Sequence, residues 1–264
     1  MRPPPHAPYR AGAPRFTPAL RPIAPAAWLT PDTEAHVLDW KREWLAQPGA
    51  VFRQSPQGDA AAAEAARQVG AALGAPAGDL VTASALVSDD LVVMAPEAGG
   101  WVCRALTLTA PTFFSIDDAF GRDLLALHGP VPDGARLAQR IGRVFDGLRP
   151  GLALERFNWT IQCGPERRAP DAAPLRARAR TLALDQGEET LHLRVERQTI
   201  SKLPQTGAVL FTIRVCLDPL SAIPVQNRAS LGQAWRTLGA TGRAYKRWDV
   251  MEQLTAAVFD RWGV

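Results

Sequence analysis

The stretch from Leu191 to Leu217, LHLRVERQTISKLPQTGAVLFTIRVCL, decides the fold of this chain. Two runs of alternating apolar residues flank Pro204-Gln205-Thr206-Gly207, a composition that favours a chain reversal. Period-2 alternation of this kind is typical of a half-buried antiparallel hairpin. The apolar positions that alternate are Leu191, Leu193 and Val195 in the first run and Val209, Phe211, Ile213 and Val215 in the second. The stretch therefore predicts two paired antiparallel strands that form a hairpin.

The polar side of the first run carries a dense row of functional groups. His192, Arg194, Glu196 and Gln198 all point to that side in an extended strand. A solvated sheet surface carries such charges too. The row alone is therefore compatible with either an ordinary solvent-exposed surface or a binding site.

Many fixed positions in this stretch match one known pattern. The residues RVERQT from Arg194, LP from Leu203, TGA from Thr206 and FTIR from Phe211 follow one another at matching spacing. The run resembles the signature of the haem-dependent oxidative N-demethylase family. The resemblance extends from about Trp28 to Trp262 and is specific from about Asp89 to Lys246. Further matching pieces are LHGPVP at 127–132, RFNWTI at 156–161, DPL at 218–220 and AYK at 244–246.

The resemblance implies a PAS-like core that binds haem b, and it implies an enzyme. In the family's reaction a small secondary or tertiary amine, dimethylamine-like, is oxidised with O2 and loses one N-methyl group as formaldehyde. Electrons are expected from a separate flavin/iron–sulfur or NAD(P)H-dependent reductase, because no GxGxxG dinucleotide fingerprint occurs in this chain. A PAS-like haem protein that senses or carries without turnover is the alternative, since a fold does not determine a function.

His128 is the candidate axial ligand of the haem iron. It matches the family's His-x-Pro-Val-Pro motif, and histidine is a common haem ligand. A histidine that caps the last carbonyls of a helix is the competing interpretation. His192 is the second candidate, and a thiolate from Cys163 or Cys216 is a third possibility that nothing in the neighbouring sequence supports.

Three arginines inside the matching run are expected to hold the haem propionates. Arg194, Arg197 and Arg214 have the planar, forked guanidinium that suits paired carboxylates. Structural salt bridges are an equal alternative for them, and Arg156 and Lys246 are weaker candidates for the same role.

Glu196, Asn158 and Gln198 are the candidate catalytic residues. The resemblance gives a substrate amine that is protonated near neutral pH, so a Glu196 carboxylate would bind it and accept its proton. Asn158 or Gln198 would orient the amine or the bound oxygen by hydrogen bonding. A Glu–Arg pair across the sheet is an equally good interpretation of Glu196.

One stretch departs from the family pattern. Where relatives read Cys-Phe-Pro-Ser before the histidine, this chain has Ala110-Pro111-Thr112-Phe113-Phe114, and Asp117-Asp118 also differs. If this stretch shapes the pocket, the substrate differs from a small dimethylated amine.

Composition sets the remaining limits. The 264 residues are 47% hydrophobic and 21% charged, which is typical of a globular protein, and no apolar run reaches the roughly 18 residues of a membrane span. The net charge is +4, yet the basic residues do not cluster with aromatic ones, so no nucleic-acid partner is expected. Three widely spaced cysteines indicate reduced thiols and a cytoplasmic protein.

Pattern and composition together predict one main domain. Residues 1–27 are rich in Pro, Ala and Arg and are expected to form an extended or disordered arm. Residues 28–264 are expected to form a single haem-binding domain. About five antiparallel strands, including two hairpins, with helices between and around them predict an α+β fold of PAS-like type.

Overall fold

The long hairpin lies at the centre of a seven-stranded antiparallel sheet. The computed structural model describes residues 3–30 and 35–264. The spatial order of the strands is β1-β5-β6-β7-β3-β4-β2, so the hairpin β6–β7 has neighbours on both sides. In chain order the strands are β1 (Arg21–Ile23), β2 (Phe52–Gln54), β3 (Asp90–Glu97), β4 (Gly100–Thr107), β5 (Ala153–Cys163), β6 (Leu191–Lys202) and β7 (Val209–Pro219).

The α+β class is confirmed, but the prediction of about five strands is wrong. The two additional strands are the edges β1 and β2, each of three residues. Each exists because it pairs with a distant strand, β1 with β5 and β2 with β4. So short a run has too few alternating positions to show a period in the sequence.

Twelve α-helices are assigned in the described part of the chain, and helices pack on both sides of the sheet. They are α1 (Ala35–Leu45), α2 (Pro48–Val51), α3 (Asp59–Leu73), α4 (Leu80–Ser84), α5 (Ile116–Ala119), α6 (Leu124–His128), α7 (Gly134–Gly147), α8 (Ala173–Thr181), α9 (Gly187–Thr190), α10 (Val225–Thr237), α11 (Ala240–Lys246) and α12 (Glu252–Trp262).

The side chains of β6 alternate between two very different faces of the sheet. The closed face carries Val195 and Arg197 and is covered by α3, α4, α10 and α12. The cleft face carries Glu196 and Gln198 and is partly covered by α5, α6 and α7. Residues directly opposite each other on neighbouring strands share a face, so Asn158 opposite Glu196 lies on the cleft face and Arg214 opposite Arg197 on the closed face.

An aromatic cluster fixes the C-terminal helices on the closed face. Trp235 of α10 stacks on Trp248 with ring centroids 4.0 Å apart, and Trp159 of β5 lies 5.4 Å from Trp248. All three indoles are buried. Because aromatic side chains bury a large apolar area, this cluster holds the C-terminal helices firmly against β5 and β6.

A buried carboxylate of α3 holds the turn between β6 and β7. Glu64 accepts hydrogen bonds from the backbone N–H groups of Gln205 and Thr206, at 2.7 and 2.8 Å, and from the Thr206 hydroxyl at 2.6 Å. Burial raises the pKa of Glu64, but the hydrogen bonds and nearby Arg67 outweigh it, so the pKa lies below its usual value. The turn also requires Gly207, whose φ of 71° is in the left-handed region.

The described part of the N-terminal segment packs along one edge of the sheet. Tyr9 is buried against Trp159, β1 pairs with β5, and the carbonyls of Ala27 and Trp28 accept hydrogen bonds from Arg197. Residues 1 and 2 lie outside the described residues. The division into an arm, 1–27, and one domain, 28–264, stays a prediction.

Within the described residues, no helix combines the length and the apolar character that crossing a membrane requires.

Candidate functional site

The cleft face is open in the middle of the sheet. Phe211 and Ile213 of β7 point to the cleft face and are only half-buried. Thr212 lies between them, points to the closed face and is buried. We call the space above these residues the cleft. Half-buried apolar side chains from several elements border it: Leu20, Phe114, Leu124, Leu127, Val131, Val144 and Leu154.

A cavity of about 390 Å³ opens at one edge of the cleft. Its lining comes from residues 18–20, from Leu154 of β5 and from Arg140, Arg143 and Val144 of α7. Neither Arg140 nor Arg143 has a hydrogen bond or an ion pair to another residue of 3–30 or 35–264. The cavity therefore combines an apolar wall with two guanidinium groups that are available to an anion.

The three predicted catalytic residues lie together on the cleft floor. Glu196 Oε2 accepts hydrogen bonds from the Asn158 amide at 3.2 Å and from the Gln198 amide at 2.7 Å. Glu196 Oε1 accepts a hydrogen bond from the Thr112 hydroxyl. The carboxylate is 8% exposed, so it is held by three neutral donors near the base of an open cleft. The Glu–Arg pair that the sequence left as an alternative does not form within residues 3–30 and 35–264, where Glu196 bonds these three donors instead.

Two cationic side chains lie next to this carboxylate. Lys246 Nζ donates to Asn158 Oδ1 at 3.3 Å, and burial lowers the pKa of Lys246 to about 8, with Glu196 opposing that shift and Arg156 adding to it. Burial also lowers the pKa of Arg156. Arg156 Nε is buried and has no hydrogen-bond partner among the described residues. An unsatisfied buried donor is unusual in a native structure and points to a missing acceptor.

His128 lies at the C-terminal end of α6, near Arg156. Its Nδ1 is 2.8 Å from the Leu124 carbonyl, so Nδ1 carries the proton and Nε2 is left for another partner. Burial lowers the pKa of His128, the Leu124 hydrogen bond raises it, and the Arg156 charge lowers it further. The result favours the neutral imidazole near pH 7. The helix-capping alternative holds in part, since the ring does bond a carbonyl of its own helix.

The backbone around His128 is tightly packed. A Cβ added to Gly134 would lie 2.0 Å from the His128 carbonyl oxygen, so the start of α7 can approach α6 this closely only with glycine. Asp123 accepts a hydrogen bond from the Ala126 N–H at 2.7 Å and caps the other end of α6. Both ends of this short helix are therefore fixed, and with them the position of the imidazole.

Arg194 also lies on the cleft face, but its guanidinium is fully engaged. It is 0% exposed and donates to Thr112 Oγ1 at 2.8 Å and to the carbonyls of Ala110 and Pro111 at 2.8 and 3.1 Å. Its remaining contacts go to Gln162 and to the carbonyls of Glu166 and Arg167. Burial lowers the pKa of Arg194 to about 10. Arg194 therefore positions the loop that carries Thr112.

The structure does not bring Arg197 and Arg214 to the cleft. Both lie on the closed face, where Arg197 pairs with Glu155 at 2.6 Å and Arg214 pairs with Asp89 at 2.6 Å. The remaining donors of Arg214 reach Thr30. These are the structural salt bridges that the sequence left open as an alternative.

The other candidate ligands lie away from the Glu196 cluster. His192 shares the cleft face but begins β6, four residues from Glu196 and so roughly 13 Å along the strand. Its Nδ1 lies 2.9 Å from the Thr190 carbonyl, and burial lowers its pKa. Cys163 and Cys216 pack on the closed face, and burial raises the pKa of Cys163 to about 11, which disfavours its thiolate.

Sequence reasoning missed Thr112, Arg140 and Arg143. Thr112 falls in the stretch 110–114 that departs from the family pattern, and that departure was the one signal that could have identified it. The adjacent Phe113 has a φ of 65°, a strained conformation for a bulky residue and one that often accompanies functional sites. The two arginines gave no signal, because exposed arginines on a helix are ordinary.

Among the described residues, no group of three or more His, Cys, Asp or Glu side chains could hold a metal ion. A haem iron needs fewer protein ligands than such a metal site, because the porphyrin supplies four nitrogens and one axial side chain is sufficient.

One known protein family matches most of this chain. A family model described as haem-dependent oxidative N-demethylase, alpha subunit-like, matches residues 51–256. This range covers more than three quarters of the chain and includes Thr112, His128, Asn158, Glu196, Gln198 and Lys246. The chain therefore belongs to the family of proteins that are similar to the alpha subunit of haem-dependent oxidative N-demethylase.

Proposed function

We propose that this protein carries out haem-dependent oxidative N-demethylation of a small secondary or tertiary amine. O2 is the oxidant, a separate partner reductase supplies electrons, and formaldehyde is released. The observation that carries the proposal is the Glu196 carboxylate, which three neutral donors hold on the floor of a cleft with apolar walls. A small cationic amine is the ligand that such a carboxylate suits.

The residues around the cleft fit a bound haem b. His128 offers Nε2 of a neutral imidazole, and its Nδ1 bond to the Leu124 carbonyl is the kind of outer contact that orients metal-bound histidines. The half-buried apolar side chains around the cleft suit a porphyrin, which is largely apolar. A protein surface that leaves so many apolar groups together is typical of a ligand site.

We assign the propionates to Arg140, Arg143 and Arg156. The first two line the cavity at the cleft edge and have no other partner among the described residues, and the third has a buried unpaired Nε. Arg194, Arg197 and Arg214 are the arginines that the family motif suggested, but their guanidinium groups already bond carbonyls and carboxylates.

The protein's own contribution to the reaction is binding, orientation and proton transfer. When bound, haem supplies the oxygen-activating chemistry that attacks an N-methyl group. Glu196 attracts the ammonium form of the amine and accepts its proton at a carboxylate oxygen, which frees the nitrogen lone pair. Asn158, Gln198 and Thr112 hold that carboxylate in one orientation, so the amine nitrogen is placed reproducibly.

Absorption spectroscopy of the full chain loaded with haem tests this proposal. We expect a Soret band at one haem per chain that is lost or strongly shifted in His128→Ala and unchanged in the matched control His192→Ala. Dimethylamine is expected to perturb the wild-type band, and a chemical electron donor with O2 is expected to give formaldehyde from dimethylamine.

Two outcomes would overturn the proposal. A wild-type protein that takes up no haem removes its basis. A Soret band that is lost in His192→Ala and kept in His128→Ala moves the iron to the other end of the cleft face, away from Glu196.

A further inference from the structure

Lys246 is the last residue of α11, and its amine is turned toward the cleft. Arg247, the next residue, has a φ of 54° and ends the helix in the left-handed conformation. Lys246 Nζ lies 3.3 Å from Asn158 Oδ1 and 5.9 Å from the centroid of the Phe16 ring. The side chain is half-buried, so a small solute can reach it although it is largely removed from bulk water.

The surroundings of Lys246 increase the neutral fraction of its amine. Its pKa is lowered to about 8, because burial and the positive charge of Arg156 on β5 lower it more than the carboxylate of Glu196 on β6 raises it. Phe16 and the uncharged Tyr245 complete the environment. A desolvated lysine near another cation is the arrangement that makes an amine nucleophilic at neutral pH.

The other two lysines of the chain lack this combination. Lys41 is 0% exposed and donates to the carbonyls of Val87 and Asp89 at 2.9 and 2.5 Å. Lys202 donates to the Phe145 carbonyl at 3.0 Å and lies over the Trp101 ring at 4.4 Å. Each of these amines is occupied by acceptors or an aromatic face away from the Glu196 cluster.

We propose that Lys246 is a nucleophilic site that condenses reversibly with formaldehyde or another small aldehyde at the cleft floor. The amine nitrogen attacks the carbonyl carbon and a C–N bond forms. The carbonyl oxygen leaves as water with both amine protons, and a methylene imine remains. The step involves no oxidation or reduction. That the aldehyde arises in the same cleft rests on the proposed function, whereas the reactivity of the amine does not.

Reductive labelling of the full chain tests this inference. Isotopically labelled formaldehyde with cyanoborohydride converts each imine to an N-methyl group, and peptide mass mapping assigns the label among only three lysines and the N-terminal amine. At pH 7 we expect Lys246 to react roughly tenfold faster than Lys202, and Lys41 to stay unlabelled. The Lys246 rate should rise with pH to a midpoint near 8, against about 10.4 for an ordinary lysine.

Two variants sharpen the assignment. Lys202→Arg is the matched control, and it should leave the rate at Lys246 unchanged. Glu196→Gln removes the charge that raises the pKa of Lys246, so its midpoint should fall and its rate at pH 7 should increase.

Equal labelling of Lys246 and Lys202, or a Lys246 midpoint near that of ordinary lysine, would overturn the inference. The result is separate from haem binding, because the labelling can be measured with and without haem. Preferential labelling in a protein that takes up no haem would support the inference while contradicting the proposed function.

Discussion

Glu196 and Arg197 are neighbours on β6 with similar exposure, 8% and 5%, and opposite surroundings. Arg197 faces an oppositely charged carboxylate and two backbone carbonyls on the closed face. Glu196 faces neutral hydroxyl and amide donors on the cleft face, beside half-buried apolar side chains. The charge of Arg197 is neutralised by an ion pair, whereas the charge of Glu196 is held by neutral donors with Lys246 and Arg156 nearby.

The difference shows that burial alone does not separate structural from functional charges. A buried ion pair whose remaining donors are satisfied offers a ligand nothing. A carboxylate whose hydrogen-bond donors are neutral makes no ion pair with the described residues, even with Lys246 and Arg156 nearby, so an added cation can still bind it. Arg194 shows that a charged group on the cleft face can also be structural, because backbone carbonyls of two loops accept hydrogen bonds from its guanidinium.

The largest expected effect is on stability, at Arg194. Arg194→Met leaves the carbonyls of Ala110, Pro111 and Arg167 without their donor, and it should lower the free energy of unfolding by about 3–5 kcal/mol. Urea denaturation measures the change. Arg180→Met, at an exposed helix position, is the control and should change stability by no more than about 0.5 kcal/mol. Similar stability of the two variants would contradict the structural role of Arg194.

The closed face provides the next test. Arg197→Met removes the buried cationic partner of Glu155 and leaves this carboxylate with Arg21, whose side chain is exposed. The variant should cost about 3 kcal/mol, while the haem content per folded chain stays the same. The double variant Arg197→Met, Glu155→Leu removes both charges and should recover much of the loss. Loss of haem in the single variant at temperatures where it is folded would instead place Arg197 in the cofactor site.

The cleft face should behave in the opposite way. Glu196→Gln keeps the shape, and its amide oxygen can still accept from Asn158 and Gln198, while its NH2 group would donate to the Thr112 hydroxyl instead of accepting from it. We therefore expect the free energy of unfolding to change by less than about 1 kcal/mol. Loss of the charge should weaken dimethylamine binding at least tenfold, about 1.4 kcal/mol, measured by titration of the haem spectrum. Glu166→Gln is the matched control, because the Glu166 carboxylate pairs with Arg178 and does not contact Glu196. Unchanged amine affinity and turnover in Glu196→Gln would place the amine site away from Glu196, whereas a wild-type protein that binds haem but shows neither amine binding nor turnover would favour a haem carrier or sensor.

The smallest expected effect concerns the turn between β6 and β7, which Glu64 holds. The pKa of Glu64 is lowered in the folded state, so its contribution to stability is present above the unfolded pKa near 4.3 and is lost as the pH falls through the folded pKa. Glu64→Gln should therefore be less stable than wild type by about 1 kcal/mol at pH 7, and the gap should close toward pH 3. Denaturation at both pH values measures it. A gap that persists at pH 3 would mean that shape, rather than charge, holds the turn.

The central hairpin could be predicted from the sequence because its pattern is local. Alternating apolar residues and the turn at 204–207 place two strands at 191–202 and 209–219, close to the expected positions. The edge strands could not be predicted, because β1 and β2 are defined by distant partners. Pro22 within β1 even argues against a strand, although it is tolerated at a sheet edge.

The candidate site was predictable to the extent that it lies on one strand pair. The matching motifs indicated Glu196, Asn158 and Gln198 as candidates, and the β5–β6 register, which the sequence did not predict, brings them together. The three arginines of the motif were all expected to hold the haem propionates because they are of one residue type. Period-2 alternation instead puts Arg197 and Arg214 on the closed face. Residues from loops and helices, such as Thr112, reach the cleft only through tertiary packing.

The edge of the cleft is formed partly by residues outside the range that the family model matches. Residues 18–20 line its cavity and the Arg15 carbonyl accepts a 3.5 Å hydrogen bond from Arg156, yet these residues precede the matched range 51–256. Residues 15–20 therefore form part of the cleft wall although they lie outside the matched range. A shortened protein that begins at residue 51 would lack this part of the wall and would expose Arg140, Arg143 and Arg156 to solvent on that side.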